Sequence, residues 1–221
     1  GCKSVPSCMN GSGNWYRDKD PEGITWYADC GRFPYLTRAY FAFHNGLPFQ
    51  AGIDAAKNDP TEMADIKYTA RGNYIAKRWT VVSGTNGYQT VKNIVEAVFS
   101  RAFRVDPRID TDKNKHSDFY HVKIDRKYIR PGTVIYDPNG HIAMVGKVKK
   151  DGTISLIDSH PDNTITRVPY SAAFIGRSMP QGGGFKNWRP LLYDAKTGTT
   201  VAASNAKSPG FSLEQFVGDQ P

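Results

Sequence analysis

Residues 131–158 read PGTVIYDPNGHIAMVGKVKKDGTISLID. Three short apolar segments in this sequence alternate with turn-forming residues, and such alternation is typical of strands joined by tight turns. One turn is formed by residues 137–140, with the sequence DPNG, and the next by Asp151-Gly152. The pattern predicts strands over residues 133–136, 141–148 and 153–158, paired as an antiparallel meander.

A helix with one apolar face is predicted upstream of these strands, over residues 29–46. Asp29 can cap its start, and Asn45-Gly46 is a typical stop signal. Apolar residues recur at three- and four-residue spacing between these ends, and they are Phe33, Leu36, Tyr40 and Phe43. A second helix is predicted over residues 89–103. Helices followed by an antiparallel sheet indicate the α+β class.

The 221 residues are sufficient for one large domain with its own core. We expect an irregular N-terminal arm over residues 1–25, because this segment is rich in Gly, Ser, Asn and Pro. Residues 50–120 are expected to form an insertion between the first helix and the sheet. The antiparallel sheet itself is expected over residues 120–170.

The chain is basic, with a formal net charge of +8. Such a surface favours anionic partners: nucleic acid, anionic lipid or the anionic polymers of a cell wall. The basic residues are scattered, and no zinc-knuckle, RNP or helix-turn-helix signature is present. We therefore expect no specific nucleic-acid binding.

The three cysteines are Cys2, Cys8 and Cys30. Cys2 and Cys8 are close enough in sequence for a disulfide across a short loop, which would indicate an oxidising compartment. Alternatively, Gly1-Cys2 resembles the end of a lipoprotein signal, in which Cys2 carries a lipid anchor. Both interpretations predict an exported protein: periplasmic, an outer-membrane lipoprotein, or secreted. The disulfide would leave Cys30 as the odd, free thiol.

Cys30 is the candidate nucleophile. A thiol attacks efficiently only as the thiolate, and a helix N-terminus or a nearby imidazolium favours that form. Cys30 lies at the predicted helix start, where its backbone N–H can also donate to an oxyanion. His141 opens a predicted strand and is the candidate base. Asp158 ends the next strand and is the preferred third residue, with His160 as the alternative.

Other interpretations of these residues remain open. Cys30 is also consistent with a buried structural thiol or with a disulfide to Cys2 or Cys8. The spacing of Cys30, His141, Asp158 and His160 matches no established zinc pattern, so we expect no metal and no cofactor. The remaining histidines are expected to serve other roles: His44 at a helix end, and His116 and His121 facing solvent.

Four short motifs, taken in order, resemble the NlpC-like cell-wall cysteine peptidases and the related CHAP amidases. These motifs are Asp29-Cys30-Gly31, residues 131–135 (PGTVI), residues 140–145 (GHIAMV) and Leu156-Ile157-Asp158. The resemblance implies a papain-like fold in which Cys30, His141 and Asp158 form the catalytic triad. It also implies a tyrosine near the oxyanion site, for which Tyr16 is the nearest match and Tyr27 a weaker one.

The resemblance implies a thiol hydrolase that cleaves amide bonds in peptidoglycan peptides, without a cofactor. Two alternatives remain at the level of sequence. One is a papain-like acyltransferase or deamidase that acts on protein or lipid substrates. The other is a non-catalytic binding module of the cell envelope.

Overall fold

The computed structural model describes residues 1–80, 86–110, 115–174 and 178–217. Within them the chain is α+β, with three α-helices and three antiparallel sheets. The helices are α1 (Val5–Met9), α2 (Arg32–His44) and α3 (Gly87–Ala97). The strands are β1 (Gly52–Lys57), β2 (Asn73–Arg78), β3 (Phe119–His121), β4 (Val134–Asp137), β5 (His141–Val148), β6 (Ile154–Ser159), β7 (Ile165–Pro169), β8 (Gly184–Trp188), β9 (Leu191–Asp194) and β10 (Thr199–Ala202). None of the described helices is long and apolar enough to cross a bilayer.

The central sheet has six strands in the order β3-β8-β4-β5-β6-β7. All of its neighbouring strands are antiparallel. The predicted meander is confirmed as β4, β5 and β6, and β7 extends it by one strand. In the turn between β4 and β5, the Gly140 N–H donates to the Asp137 carbonyl at 2.8 Å. Gly140 has a φ of 122°, a conformation that glycine adopts without the strain a side chain would bring. This turn places His141 at the end of the sheet.

Helix α2 packs on one face of this sheet. The period-two alternation of β4 and β5 sends one set of side chains toward the helix and the other set to the opposite face. The set on the helix side packs with Tyr35 of α2 and includes Val134, Tyr136 and Ile142. The opposite set includes Ile135, Ala143 and Val145, and it forms a separate buried cluster with Leu156 of β6 and Phe185 of β8. The sheet is therefore the middle layer of the fold, and α2 is fixed against it.

The segment over residues 50–120 contributes to the core around α2. Helix α3 buries Val91, Ile94 and Val95, partly against α2. It ends at Ala97, earlier than predicted, because the backbone of Val98 is extended and a 3-10 turn follows over Ser100–Phe103. The apolar residues between Tyr74 and Val82 predict a short strand or two, and the structure forms β2 there. Val81 and Val82 of this pattern lie outside the described residues.

The prediction of an irregular N-terminal arm is wrong in part. Residues 5–9 form α1, whose start carries a capping box made by Ser4 and Ser7. The arm also pairs with the sheet region, because the Ile165 N–H donates to the Lys3 carbonyl at 2.9 Å. Cys2 and Cys8 form a disulfide with a Cα–Cα distance of 5.0 Å. A disulfide-bonded Cys2 has no thiol to carry lipid, so the alternative of a lipid anchor at Cys2 does not fit this structure.

The expectation that His116 and His121 face solvent is also wrong. Both are buried, and burial lowers the pKa of His116 to about 4 and that of His121 to about 3. The ring of His121 donates through Nε2 to the Gly183 carbonyl at 2.8 Å. His116 precedes β3 and His121 is its last residue, and β3 pairs with β8 inside the molecule. The charged residues near them in the sequence therefore did not indicate that they are buried.

Candidate active site

Cys30, His141 and Asp158 meet where the start of α2 faces the start of β5. The His141 ring nitrogen Nε2 lies 2.5 Å from Asp158 Oδ2, and Cys30 is close enough to the ring to raise the pKa of His141. Because Nε2 is occupied by the carboxylate, Nδ1 is the ring nitrogen left for the sulfur. Cys30 is a half-buried free cysteine. The order of contacts is therefore thiol, imidazole, carboxylate.

Cys30 lies in the turn that leads into α2, slightly earlier than predicted. The helix begins at Arg32, with Gly31 as its N-cap. Asp29 organises this turn: its Oδ1 accepts from the Arg32 N–H, and its carbonyl accepts from the Phe33 N–H, both at 2.9 Å. A Cβ on Gly31 would lie 3.2 Å from Cα of Ser100, which explains a glycine next to the sulfur. The sulfur is thereby positioned at the positive end of the helix dipole.

Asp158 is the third residue by geometry, and His160 is beside it. Strand residues two apart share a face, so both side chains lie on the side of His141. His160 Nε2 lies 3.7 Å from Asp158 Oδ2, and its ring stacks on that of His141 at a centroid distance of 5.9 Å. Of the two, the Asp158 carboxylate makes the hydrogen bond to the His141 ring.

Thr166 fixes the buried carboxylate of Asp158 from the neighbouring strand. The two residues are directly paired between β6 and β7, and the Thr166 hydroxyl donates to Asp158 Oδ1. Asp158 is only 3% exposed, so this bond and the bond to His141 replace the water it loses. Thr166 was not among the residues predicted from the sequence, although a polar residue on the strand after a suspected catalytic aspartate is a signal that could have indicated it.

The electrostatics favour a charged histidine. The hydrogen bond to Asp158, and next the hydrogen bond to Cys30, raise the pKa of His141 to about 10. Burial tends to raise the pKa of Asp158, but the hydrogen bonds from His141 and Thr166 outweigh burial and lower that pKa below its usual value. At neutral pH, His141 is therefore an imidazolium between an anionic carboxylate and the sulfur.

A buried arginine supports the turn that carries His141. Arg104 Nε donates to the hydroxyl of Tyr136, and this hydroxyl donates to the Pro138 carbonyl at 3.3 Å. A Cβ on Gly140 would lie 3.7 Å from Arg104 Nη2, so the guanidinium also borders the turn directly. Arg104 comes from the segment that was expected to be an insertion, and no local sequence pattern distinguishes this buried arginine from the arginines on the surface.

A cavity of about 290 Å³ adjoins the site. Ala28 and Asp29, the residues before Cys30, line one side, and Pro161, which follows His160, lines another. Arg32 and Lys92 add positive charge to its wall, and Asp29 and Glu96 add negative charge. A polar chain with mixed hydrogen-bonding groups fits such a wall better than an apolar ligand does.

The expected position of Tyr16 is wrong. Its ring stacks on His44 at 4.7 Å, and its hydroxyl accepts from Asn45 Nδ2 at 2.7 Å, so it lies at the C-terminal end of α2. The 13 residues of α2 span about 20 Å, and Cys30 lies at the opposite end. His44, expected to serve the helix dipole, instead contacts Asp20 at 3.3 Å in a nearly buried pair. Tyr27, the weaker match, lines the cavity beside Asp29.

The arrangement can perform nucleophilic chemistry. It combines a thiol at a helix start, an imidazole in contact with it, and a carboxylate that fixes the ring from its far nitrogen. Its chemistry is inferred from this geometry, since comparisons of the chain with models of known families, with curated proteins and with solved structures find no match.

Proposed function

We propose that the protein is a papain-like cysteine hydrolase that cleaves amide bonds in peptidoglycan peptides. The observation that carries the proposal is the sequence of contacts from Cys30 through His141 to Asp158. A histidine that hydrogen-bonds only a carboxylate is common in proteins. A histidine that also contacts the one free cysteine, at a helix start, is the arrangement that thiol catalysis requires.

The proposed mechanism is acyl transfer in two steps. The Cys30 thiolate attacks the amide carbonyl carbon, and the His141 imidazolium gives its proton to the leaving amine as the C–N bond breaks. Water, deprotonated by the now neutral His141, then attacks the thioester and releases the carboxylic acid. Asp158 keeps the ring oriented and stabilises its charged form throughout. The backbone N–H of Cys30 is the proposed donor to the oxyanion.

The substrate class rests on three further observations. The order of elements, with the cysteine before a helix and the histidine and aspartate on successive strands of an antiparallel sheet, resembles the NlpC-like arrangement. The net charge of +8 suits an anionic cell wall. The disulfide between Cys2 and Cys8 suits an oxidising compartment outside the cytoplasm.

The proposal is tested by incubating the protein with purified peptidoglycan and reading the products by mass spectrometry. New peptide ends, each with one added water across an amide bond, would support hydrolysis. A parallel incubation with glutamine-containing proteins and an added amine distinguishes the alternatives. Loss of ammonia or incorporation of the amine there, with intact peptidoglycan, would overturn the hydrolase in favour of a deamidase or acyltransferase.

Asp158→Asn is expected to move the alkaline limit of the reaction to lower pH. The Asp158 carboxylate is the main cause of the raised pKa of His141, about 10, and an amide does not stabilise the imidazolium as a carboxylate does. The parent rate should therefore fall only near pH 10, as His141 loses the proton it gives to the leaving amine, and the variant rate should fall at least one pH unit earlier. The measurement is the pH dependence of kcat/KM.

Asp162→Asn is the matched control for this prediction. Asp162 lies in the turn between β6 and β7, and its carboxylate accepts from Thr164 rather than from His141. The alkaline limit of the reaction in Asp162→Asn should coincide with that of the parent. If Asp158→Asn also leaves the limit unchanged, then Asp158 does not control the protonation of the base.

A further inference from the structure

A second cavity, of about 410 Å³, lies between α2 and the segment that enters β4. Two arginines face it: Arg38 from the middle of α2 and Arg130 from the turn before β4. Its apolar surface is provided by Phe41, Met144 and Trp188. Arg38 follows Cys30 by eight residues, about 12 Å along a helix axis, so this cavity is separate from the candidate active site.

The two guanidinium groups lack an acidic partner within the part of the chain that the structure describes. None of the ion pairs found there includes Arg38 or Arg130. Asp118 shares a small adjoining space with Arg38, but Arg78 already binds its carboxylate at 2.8 Å. Arg38 is half-buried, and burial together with the charge of Arg130 lowers its pKa. Two like charges that converge on one cavity are stabilised when an anion enters it.

The other polar side chains around the cavity already have partners. The Thr133 hydroxyl donates to Asn187 Oδ1 at 2.6 Å, and Asn187 Nδ2 donates to the Tyr128 carbonyl at 3.0 Å. The Thr37 hydroxyl donates to the Phe33 carbonyl at 3.1 Å. The side-chain donors left for a ligand are therefore those of the two arginines and the indole N–H of Trp188. Trp188 lies beside them, with its ring centroid 6.0 Å from Cζ of Arg38.

We propose that this cavity binds an oxyanion, a carboxylate or a phosphate ester, on a ligand whose apolar or sugar face packs against Trp188. Guanidinium groups recognise both oxyanions through paired charge-assisted hydrogen bonds, which strengthen where solvent is partly excluded. An indole wall beside the charges selects ligands with a flat or apolar surface next to the anionic group. The site requires no chemistry at Cys30. On a wall hydrolase it would retain the enzyme on its anionic polymer between cleavage events.

The test is a titration of the full chain with glutarate and, separately, with glycerol phosphate, followed by the NMR signal of the Trp188 indole N–H. Trp188→Phe assigns that signal. We expect at least one of the two anions to shift it in a saturable manner, and the tighter-binding anion identifies carboxylate or phosphate as the source. Arg38→Gln and Arg130→Gln should each weaken binding about tenfold or more, since each removes a charge-assisted contact. Thermal unfolding checks that the variants are folded.

Lys150→Gln is the control, because it removes one positive charge at the exposed turn after β5, away from the cavity. It should change the affinity less than about twofold, the size expected from a distant screened charge. The proposal is overturned if neither anion shifts the Trp188 signal, or if both arginine variants bind as tightly as Lys150→Gln. The same titration on Cys30→Ala must match the parent, so this test is independent of whether the protein is a hydrolase.

Discussion

Cys30→Ala is expected to lower the rate of amide hydrolysis by a factor of about 10³ or more while the protein stays folded. Among the residues that the structure describes, the sulfur is the only candidate nucleophile in contact with His141, and an alanine cannot form the thioester. The substitution removes one atom from a half-buried position, so little packing is lost. The measurement is the release of new amino groups from purified peptidoglycan, with thermal unfolding as the check on folding.

Cys30→Ser is the companion variant, because it keeps the size and hydrogen-bonding capacity of the side chain. A serine hydroxyl beside His141 is a far weaker nucleophile than a thiolate, so we expect it to be nearly as inactive as Cys30→Ala. A folded Cys30→Ala protein that cleaves peptidoglycan at the parent rate would remove Cys30 from the mechanism.

His141→Gln is expected to lower the rate of hydrolysis by about 10²–10⁴-fold, the usual contribution of general acid–base catalysis. Without the imidazolium, the sulfur of Cys30 loses its adjacent positive charge and the leaving amine loses its proton donor. Iodoacetamide should therefore alkylate Cys30 more slowly in this variant than in the parent near neutral pH. The two measurements together separate loss of the nucleophile's activation from misfolding.

His160→Gln is the matched control for His141→Gln. The two histidine side chains have nearly equal exposure, 38% for His160 and 35% for His141, and both lie near the Asp158 carboxylate. The His160 ring stacks on the His141 ring without taking its place between the sulfur and the carboxylate. We expect the rate of hydrolysis in His160→Gln to stay within about threefold of the parent rate, because removing a partly exposed residue next to His141 has little effect. Equal losses in the two variants would contradict the assignment of His141 as the base.

The strands that carry the site could be predicted because their signals are local. Turn residues at 137–140 and at Asp151-Gly152 bound the apolar segments, so a few neighbouring residues suffice to identify the meander. Antiparallel pairing then brings the start of β5 and the end of β6 together, which is why His141 and Asp158 could be proposed as neighbours. The Cys30 sulfur lies beside His141 and Asp158 because Cys30 lies in the turn that leads into α2, which packs on the same sheet.

Residues that act across long sequence separations could not be predicted in this way. Arg104 reaches the β4–β5 turn only through the packing of residues 50–120 against the sheet. The family resemblance implied that Tyr16 lies near the oxyanion site, but stacking on His44 fixes it at the far end of α2. The N-terminal arm is likewise ordered by the Ser4 cap of α1 and by the Cys2–Cys8 disulfide, although its composition is typical of a loop.

The most direct test is an NMR titration of the His141 imidazole in the parent and in Cys30→Ala, with His141→Gln to assign the signal. In the parent, the ring should remain protonated until about pH 10, because Asp158 and the sulfur both favour the imidazolium. In Cys30→Ala, the titration should move to lower pH. A ring that titrates near its ordinary value of about 6.5, or one whose titration ignores the loss of the sulfur, would show that Cys30 and His141 are not paired.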